Sequence, residues 1–328
     1  MEPYSLDPES QSENSQKLIH HFDVYRTAYK HIASQPIHAV FIIPKQLPSG
    51  PRPLLVRFHG GGFCEGEAEA SMRPFFLELA LKHGAAILAP DYRLRPEHEI
   101  VDGLEDTRSF WKWVELEMHA VVSKSLPGLE LDLNSLLVCG ESAGGFHAAQ
   151  TALLDMTSLP INALVLQYAA LDMGGLCRMP ETRIEEAAKA REMFPYSLVE
   201  EHMAAVEPGK ICTRAKFGSR GALFGALLMA NRLCDPSGDM AWLDPMINLE
   251  LVGKFPPVLL YHSKEDELIP WPMTEAWAAK LRKLKPEVPL HLTYQTGEHS
   301  FDHNHTMATP WLEAPLEFVQ RFWPARYN

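Results

Sequence analysis

The hexapeptide Gly140-Glu141-Ser142-Ala143-Gly144-Gly145 constrains the fold of this chain more than any other segment. It follows directly on the apolar run SLLVC at 135–139 and opens AGGFHAAQTALL, whose apolar residues recur at helical spacing. A serine on so tight a strand-to-helix turn projects its hydroxyl off the strand end, and flanking glycines let neighbouring backbone pass close by. The helix N-terminus that follows turns backbone N–H groups and the positive end of its dipole toward the same point, where a developing anion is stabilised. A bare G-x-S-x-G arises by chance. Here strand, turn and helix are all legible around it, which makes Ser142 the candidate nucleophile.

The rest of the chain supplies the matching architecture. Short apolar runs without strict alternation lie at 54–58, 85–89, 135–139, 163–166, 257–261 and 290–294, as strands covered on both faces require. Between them, 72–83, 104–119, 143–156, 273–284 and 315–322 carry helical periodicity. Alternating β and α segments predict an α/β fold with a mostly parallel, doubly wound sheet flanked by helices. Ahead of these, TAYKHIAS and PIHAVFIIP read as a strand pair closed by a Pro/Gly-rich turn at 48–53. Residues 1 to about 16 are rich in Pro, Ser, Glu and Gln and are expected to be loosely attached; a short amphipathic helix is expected from Lys17, using Leu18, Ile19, Phe22 and Tyr25. Between Leu171 and about Leu243 the rhythm breaks. A structureless loop of that length is improbable inside a domain, so a helical insertion is expected there, over the crevice at the strands' carboxyl ends.

Charge and cysteine usage narrow the function classes. Of 328 residues, 42 are acidic and 30 basic, a net charge of −12 with no Lys/Arg-rich run, which disfavours nucleic-acid backbones and anionic membrane surfaces as partners. No apolar stretch approaches membrane-spanning length, and the polar, acidic start lacks a signal-peptide layout, so a cytoplasmic protein is expected. Cys64, Cys139, Cys177, Cys212 and Cys234 are odd in number, widely spaced and without Cys-x-x-Cys; neither a disulfide framework nor a zinc site is expected, but buried or reduced thiols.

A nucleophilic serine needs a base, and the base an orienting acid. His59-Gly60-Gly61-Gly62-Phe63, after the strand LLVRF, lets successive backbone amides converge on a small anion. After the insertion, the strand VLLYH runs into Lys264-Glu265-Asp266-Glu267, three carboxylates among which spacing does not choose. The strand LHLTYQ then leads to Gly297-Glu298-His299-Ser300-Phe301, placing a histidine on the following loop, in the order serine, acid, histidine that such a sheet imposes. His303 and His305 nearby lack the carboxylate or cysteine spacing of a metal site, so no metal or cofactor is expected.

HGGGF, DYRLRPEHEIVDGLEDTRSFWKW, GESAGG, KEDEL and GEHSF occur in the order and approximate spacing of the hormone-sensitive-lipase-like carboxylesterases, and the chain resembles that α/β-hydrolase family over roughly residues 36–325. The resemblance implies Ser142 as nucleophile, His299 as base and Asp266 as orienting acid, with Glu265 the alternative left open by a Ser263 where Gly is common. It implies Gly61, Gly62 and Ala143 as oxyanion donors. It also implies a lid made of residues 1–35 and an insertion at 172–240, after the sixth strand, over a catalytic domain of 36–171 and 241–328. Asp91, Tyr92, Arg93 and Glu97 are expected to buttress the site, and Glu141 stands where the family usually has Asp. The expected activity is hydrolysis, through an acyl-enzyme, of a short or medium acyl or O-acetyl ester of a small, fairly apolar molecule, by a monomer or homodimer. Natural-product metabolism would suit such a substrate, with Phe63, Phe217 and Phe224 candidates for its pocket. Lactone or amide hydrolysis, acyl transfer, elimination and non-catalytic small-molecule reception are the competing readings.

Overall fold

The computed structural model describes residues 1–179, 184–234 and 243–325, with the side chains of all of these except 184–187. The parts of the expected insertion at 180–183 and 235–240 lie outside the described residues.

Among the described residues, nine strands form a single sheet: β1 (Glu2–Tyr4), β2 (Phe22–Ile32), β3 (Gln35–Pro44), β4 (Arg52–Phe58), β5 (Ala86–Pro90), β6 (Leu131–Glu141), β7 (Ile161–Gln167), β8 (Val258–Ser263) and β9 (Leu290–Gln295). Their order is β1-β2-β3-β5-β4-β6-β7-β8-β9, antiparallel from β1 to β5 and parallel from β5 to β9. The helices, in chain order, are α1 (Glu13–Leu18), α2 (Pro74–His83), α3 (Ile100–Leu116), α4 (Met118–Ser125), α5 (Ala143–Leu153), α6 (Met173–Cys177), α7 (Ile184–Met193), α8 (Ser197–Ala205), α9 (Gly221–Met229), α10 (Pro245–Asn248), α11 (Trp271–Leu284) and α12 (Glu313–Gln320).

Successive side chains of a strand point to opposite faces, and this divides the core in two. Leu54, Val56 and Phe58 of β4 pack with Phe110 and Trp111 of α3 and Phe146 of α5. Leu55 turns the other way, sharing a second core with Phe75 and Phe76 of α2 and Val319 of α12. Both faces are therefore covered, and every residue of β4, β5 and β8 is buried. That burial is why these strands read as mainly apolar runs.

Three expectations are corrected here. The first 16 residues are not loose: β1 pairs with β2, and polar side chains fasten the segment to the 69–72 loop. Gln11 Nε2 donates to Glu69 O at 2.8 Å, its Oε1 accepts from Met72 N at 3.0 Å, and Ser15 Oγ donates to Met72 O. Hydrogen bonds to backbone, invisible to a hydrophobicity reading, here supplement the apolar burial of Leu6. The short helix begins earlier than Lys17, capped by Ser12, while Phe22 and Tyr25 belong to β2. Finally, Cys177 and Cys234 form a disulfide across 57 residues of sequence, joining the end of α6 to the turn after α9; Cys64, Cys139 and Cys212 are free.

The insertion follows β7, the sixth strand when the short N-terminal β1 is not counted, and its described part is helical. It is fastened to the body by charge. Arg214 reaches Glu69 and, at 2.9 Å, Asp91, while Arg220 pairs with Glu97 at 2.8 Å and His202 with the same carboxylate at 2.8 Å. Gly66 and Ala215 exchange backbone hydrogen bonds of 2.7 and 3.1 Å. Asp91 and Glu97 thus hold the insertion, and Arg93 instead ties into α3 through Asp102 and Asp106.

Candidate active site

Ser142 stands between β6 and α5 with φ 54° and ψ −121°, a conformation costly for any residue with a side chain. Its own peptide groups hold it there: Ser142 N donates to Gln167 O at 2.9 Å, and Ser142 O accepts from Gly145 N at 3.0 Å and Ala170 N at 3.1 Å. The turn closes this tightly because Gly144 has no side chain; a Cβ there would lie 2.1 Å from Phe58 O.

The structure brings the three residues singled out from widely separated motifs into one row. His299 Nε2 lies 3.0 Å from Ser142 Oγ, and His299 Nδ1 lies 2.8 Å from Asp266 Oδ2. The ring of Tyr168 stands edge-on to that of His299, centroids 4.9 Å apart. The three consecutive carboxylates divide their work. Glu265 accepts from Gly297 N at 2.7 Å, Glu267 accepts from His299 N at 2.9 Å, and Asp266 alone meets the imidazole. Burial by itself would raise the Asp266 pKa; hydrogen bonds from His262, His299 and Ile269 N outweigh it and hold the carboxyl well below its usual range. Serine, histidine and carboxylate in this row are what proton abstraction from a hydroxyl requires.

The glycine loop lies beside Ser142, and its geometry follows from where its carbonyls go. Gly60 O bonds to His59 Nδ1 at 2.8 Å, and Gly61 O accepts from Cys64 N and Glu65 N at 3.0 Å each. In a trans peptide the N–H points opposite to the C=O, so Gly61 N–H and Gly62 N–H are both turned out of the loop. Gly60 N–H is spent differently, on Glu141 Oε1 at 3.2 Å. Glu141 is itself paired, fully buried, with Arg57, whose guanidinium also holds Ala68 O and Ala70 O. The glutamate therefore couples the serine turn to the glycine loop. His59 stacks on Tyr92 with centroids 4.3 Å apart, and Tyr92 OH donates to His59 O at 2.6 Å.

A cavity of about 480 Å³ opens over Ser142 and His299. Phe63, Phe217 and Phe224 all line it, together with Leu176, Leu268 and Ile269. Phe224 packs directly on the glycine loop: a Cβ on Gly62 would meet its ring at 2.6 Å. Glu65 accepts from Gly218 N at 2.9 Å and Arg220 N at 2.8 Å, which joins the loop to the insertion that carries Phe217 and Phe224.

One residue of the site escaped the sequence reading. His262, at the end of β8, lies fully buried with Nε2 3.1 Å from Asp266 Oδ2. Its only signal was a position four residues before the acid, at a strand end, and fifteen histidines diluted it. His303 and His305 face elsewhere, toward Ser71 and Trp311.

Comparison with known proteins agrees with this geometry. The sequence model of the alpha/beta hydrolase fold matches residues 55–303. A probable carboxylesterase, M8, of Phoma sp. is 29% identical over 304 residues, 90% of this chain and 94% of that protein. The non-reducing polyketide synthase stbA of Stachybotrys bisbyi is 26% identical over 310 residues, 86% of this chain but 14% of that much longer protein. Among solved structures, a bacterial heroin esterase superposes with a TM-score of 0.62 at 22% identity, over 93% of this chain and 86% of that one. With its match to the family over three quarters of its length and its sheet, serine turn and glycine loop in the matching order, the chain belongs to the α/β-hydrolase fold family, in the hormone-sensitive-lipase-like group.

Proposed function

We propose that this chain is a serine carboxylesterase that hydrolyses a short or medium acyl ester, O-acetyl esters included, of a small and fairly apolar molecule. The observation that carries the reading is the row Ser142 Oγ, His299 Nε2, Asp266 Oδ2, with spacings of 3.0 and 2.8 Å, at the floor of the cavity.

In the mechanism, His299 Nε2 takes the Ser142 proton as Oγ attacks the ester carbonyl carbon. The carbonyl electron pair moves onto oxygen, and that oxyanion is met by Gly61 N–H, Gly62 N–H and Ala143 N–H. Support for these donors comes from the orientation of the two glycine peptides and from the position of Ala143 at the N-terminus of α5. His299⁺, stabilised by ionised Asp266, gives its proton to the leaving alcohol. Water then repeats the sequence on the acyl-enzyme and releases the acid. In each half the oxyanion pair returns to the carbonyl as the C–O bond to the leaving oxygen breaks, and His299 carries the proton from the attacking oxygen to the leaving one.

The cavity volume suits a small molecule, and its aromatic and aliphatic lining suits an apolar acyl or alcohol group. A natural-product ester is favoured by the likeness to a segment of a polyketide synthase and to a probable carboxylesterase. The described part of the insertion acts as the lid, since it supplies Phe217 and Phe224 to the cavity.

The test is hydrolysis of p-nitrophenyl esters from acetate to laurate by wild type and Ser142→Ala. Turnover of the shorter esters, abolished by Ser142→Ala, is expected. A folded wild type that neither turns over any ester nor is labelled at Ser142 by a phosphonate overturns the reading.

A further inference from the structure

We propose that His262 is a positioning residue for the catalytic row, holding Asp266 as a charged acceptor turned toward His299. The inference rests on the esterase reading and extends it to a residue that does not itself react.

The argument begins with the ring's hydrogen atoms. His262 Nε2 lies 3.1 Å from Asp266 Oδ2 and 3.0 Å from Ile269 O. Both neighbours are acceptors, so Nε2 carries the hydrogen and shares it between them. On the other side Nδ1 lies 2.7 Å from Thr274 Oγ1, a hydroxyl able to donate to it. With the hydrogen on Nε2 and the Thr274 hydroxyl donating to Nδ1, every contact of the ring is satisfied and Asp266 gains a donor on the oxygen it presents to His299.

The acid is also held by an unequal set of partners. Asp266 Oδ1 accepts from Leu268 N at 2.9 Å and Ile269 N at 2.8 Å, both on its own loop. Oδ2, the oxygen that meets His299, accepts from His262 as well. Rotation of a carboxylate about its last torsion is soft, and the two loop amides hold the group from its Oδ1 side. A donor on Oδ2 from a buried ring anchored to β8 and, through Thr274, to α11 restrains the oxygen that does the work. The other two imidazoles with at most 1% exposure among the described residues serve differently: His59 bonds to Gly60 O and His147 to Thr107. Neither touches a carboxylate in this way.

Two amide variants separate positioning from packing. In His262→Gln the carboxamide nitrogen falls near the place of Nε2 and still donates to Asp266. In His262→Asn it falls near Nδ1, where it reaches Thr274 and not the acid. Expected for His262→Asn is a kcat about 10- to 100-fold lower on a p-nitrophenyl ester, with KM within about twofold and phosphonate labelling of Ser142 slowed in proportion. His262→Gln should keep kcat within about threefold of wild type. Equal kcat for His262→Asn and wild type overturns the proposal, and so does a His262→Gln as slow as His262→Asn. Should His262→Asn not fold, His262→Met, of Gln's length without a donor, replaces it under the same two criteria. Wild-type labelling keeps the two readings apart. An unreactive Ser142 in wild type overturns the esterase reading, whereas a reactive wild type matched by His262→Asn overturns this proposal alone.

Discussion

Asp266 Oδ2 meets His299 Nδ1 at 2.8 Å, while the carboxylates on either side of it, Glu265 and Glu267, are turned to the backbone of the histidine loop. One run of three acids thus fixes both the loop and the ring on it. Asp266→Asn should lower kcat by about 10⁴-fold, since a neutral amide neither stabilises the imidazolium nor enforces its tautomer. Glu265→Gln removes charge but leaves an acceptor for Gly297 N, and should cost less than about tenfold. Steady-state kinetics of the two variants on one ester would decide the assignment; a larger loss in Glu265→Gln would reverse it.

The buried Arg57–Glu141 pair is a stability element as well as a brace. Removing one partner of such a pair strands the other charge in the core, which costs about 3–5 kcal/mol. Glu141→Gln should lose that much in urea unfolding. Glu141→Asp retains the charge and should lose less than half of it, which is the comparison to measure.

Phe224 limits the room beside the glycine loop. Phe224→Ala should move the acyl-length optimum upward, raising the ratio of kcat/KM for octanoate over acetate by about tenfold or more, because pocket methylenes discriminate on that scale. An unchanged profile would place the acyl chain elsewhere in the cavity.

The Cys177–Cys234 bond closes a 57-residue span of the insertion. Loop-closure entropy gives it up to roughly 4 kcal/mol against unfolding of that span. Cys177→Ser, or reduction, should therefore lower Tm and increase proteolytic cleavage within the insertion before the body of the chain is cut. Equal protease resistance with and without the bond would refute this.

Acid should destabilise the fold well before carboxylates titrate. Burial, aided by nearby Arg57 and opposed by the Gly60 carbonyl, pushes His59 down to about 3, and burial pushes His147 down to about 3. Both stay neutral in the folded chain while the unfolded chain protonates them near pH 6.5. Their contribution is complete above about pH 6.5 and is lost as pH falls toward 3, at about 1.4 kcal/mol per pH unit for each ring. Tm should fall from pH 6.5 to 5, and His147→Gln should make that fall shallower. Below about pH 4 Asp302 adds to the loss; burial would raise its pKa, but Arg73 and the Tyr261 and Tyr168 hydroxyls hold it low.

Much of this was legible in the sequence because it is local. A strand covered on both faces must be largely apolar, its few buried polar groups paired as Arg57 is with Glu141, so the β4, β6, β7 and β8 segments announced themselves, and the turn at Ser142 needs small residues immediately around it. The N-terminal segment was misjudged because much of its attachment is polar: Gln11, Ser15 and Tyr4 bind the 69–72 loop and Glu69, beside the single buried aliphatic Leu6. The disulfide was missed because nothing in the sequence shows that residues 177 and 234 lie 6.4 Å apart at their Cα atoms.

What the chain's order of residues determined by itself is therefore the sheet, the serine turn, the glycine loop and the chain order of serine, acid and histidine, each dictated by backbone sterics or periodicity within a dozen residues. Only the tertiary structure decided which of three adjacent carboxylates faces His299, which arginines clamp the insertion, and that His262 shares the oxygen of Asp266. Those choices depend on side chains brought together from distant parts of the chain, the insertion with Glu69, Asp91 and Glu97 and the end of β8 with the loop after β9, and such contacts leave no periodic trace along the sequence.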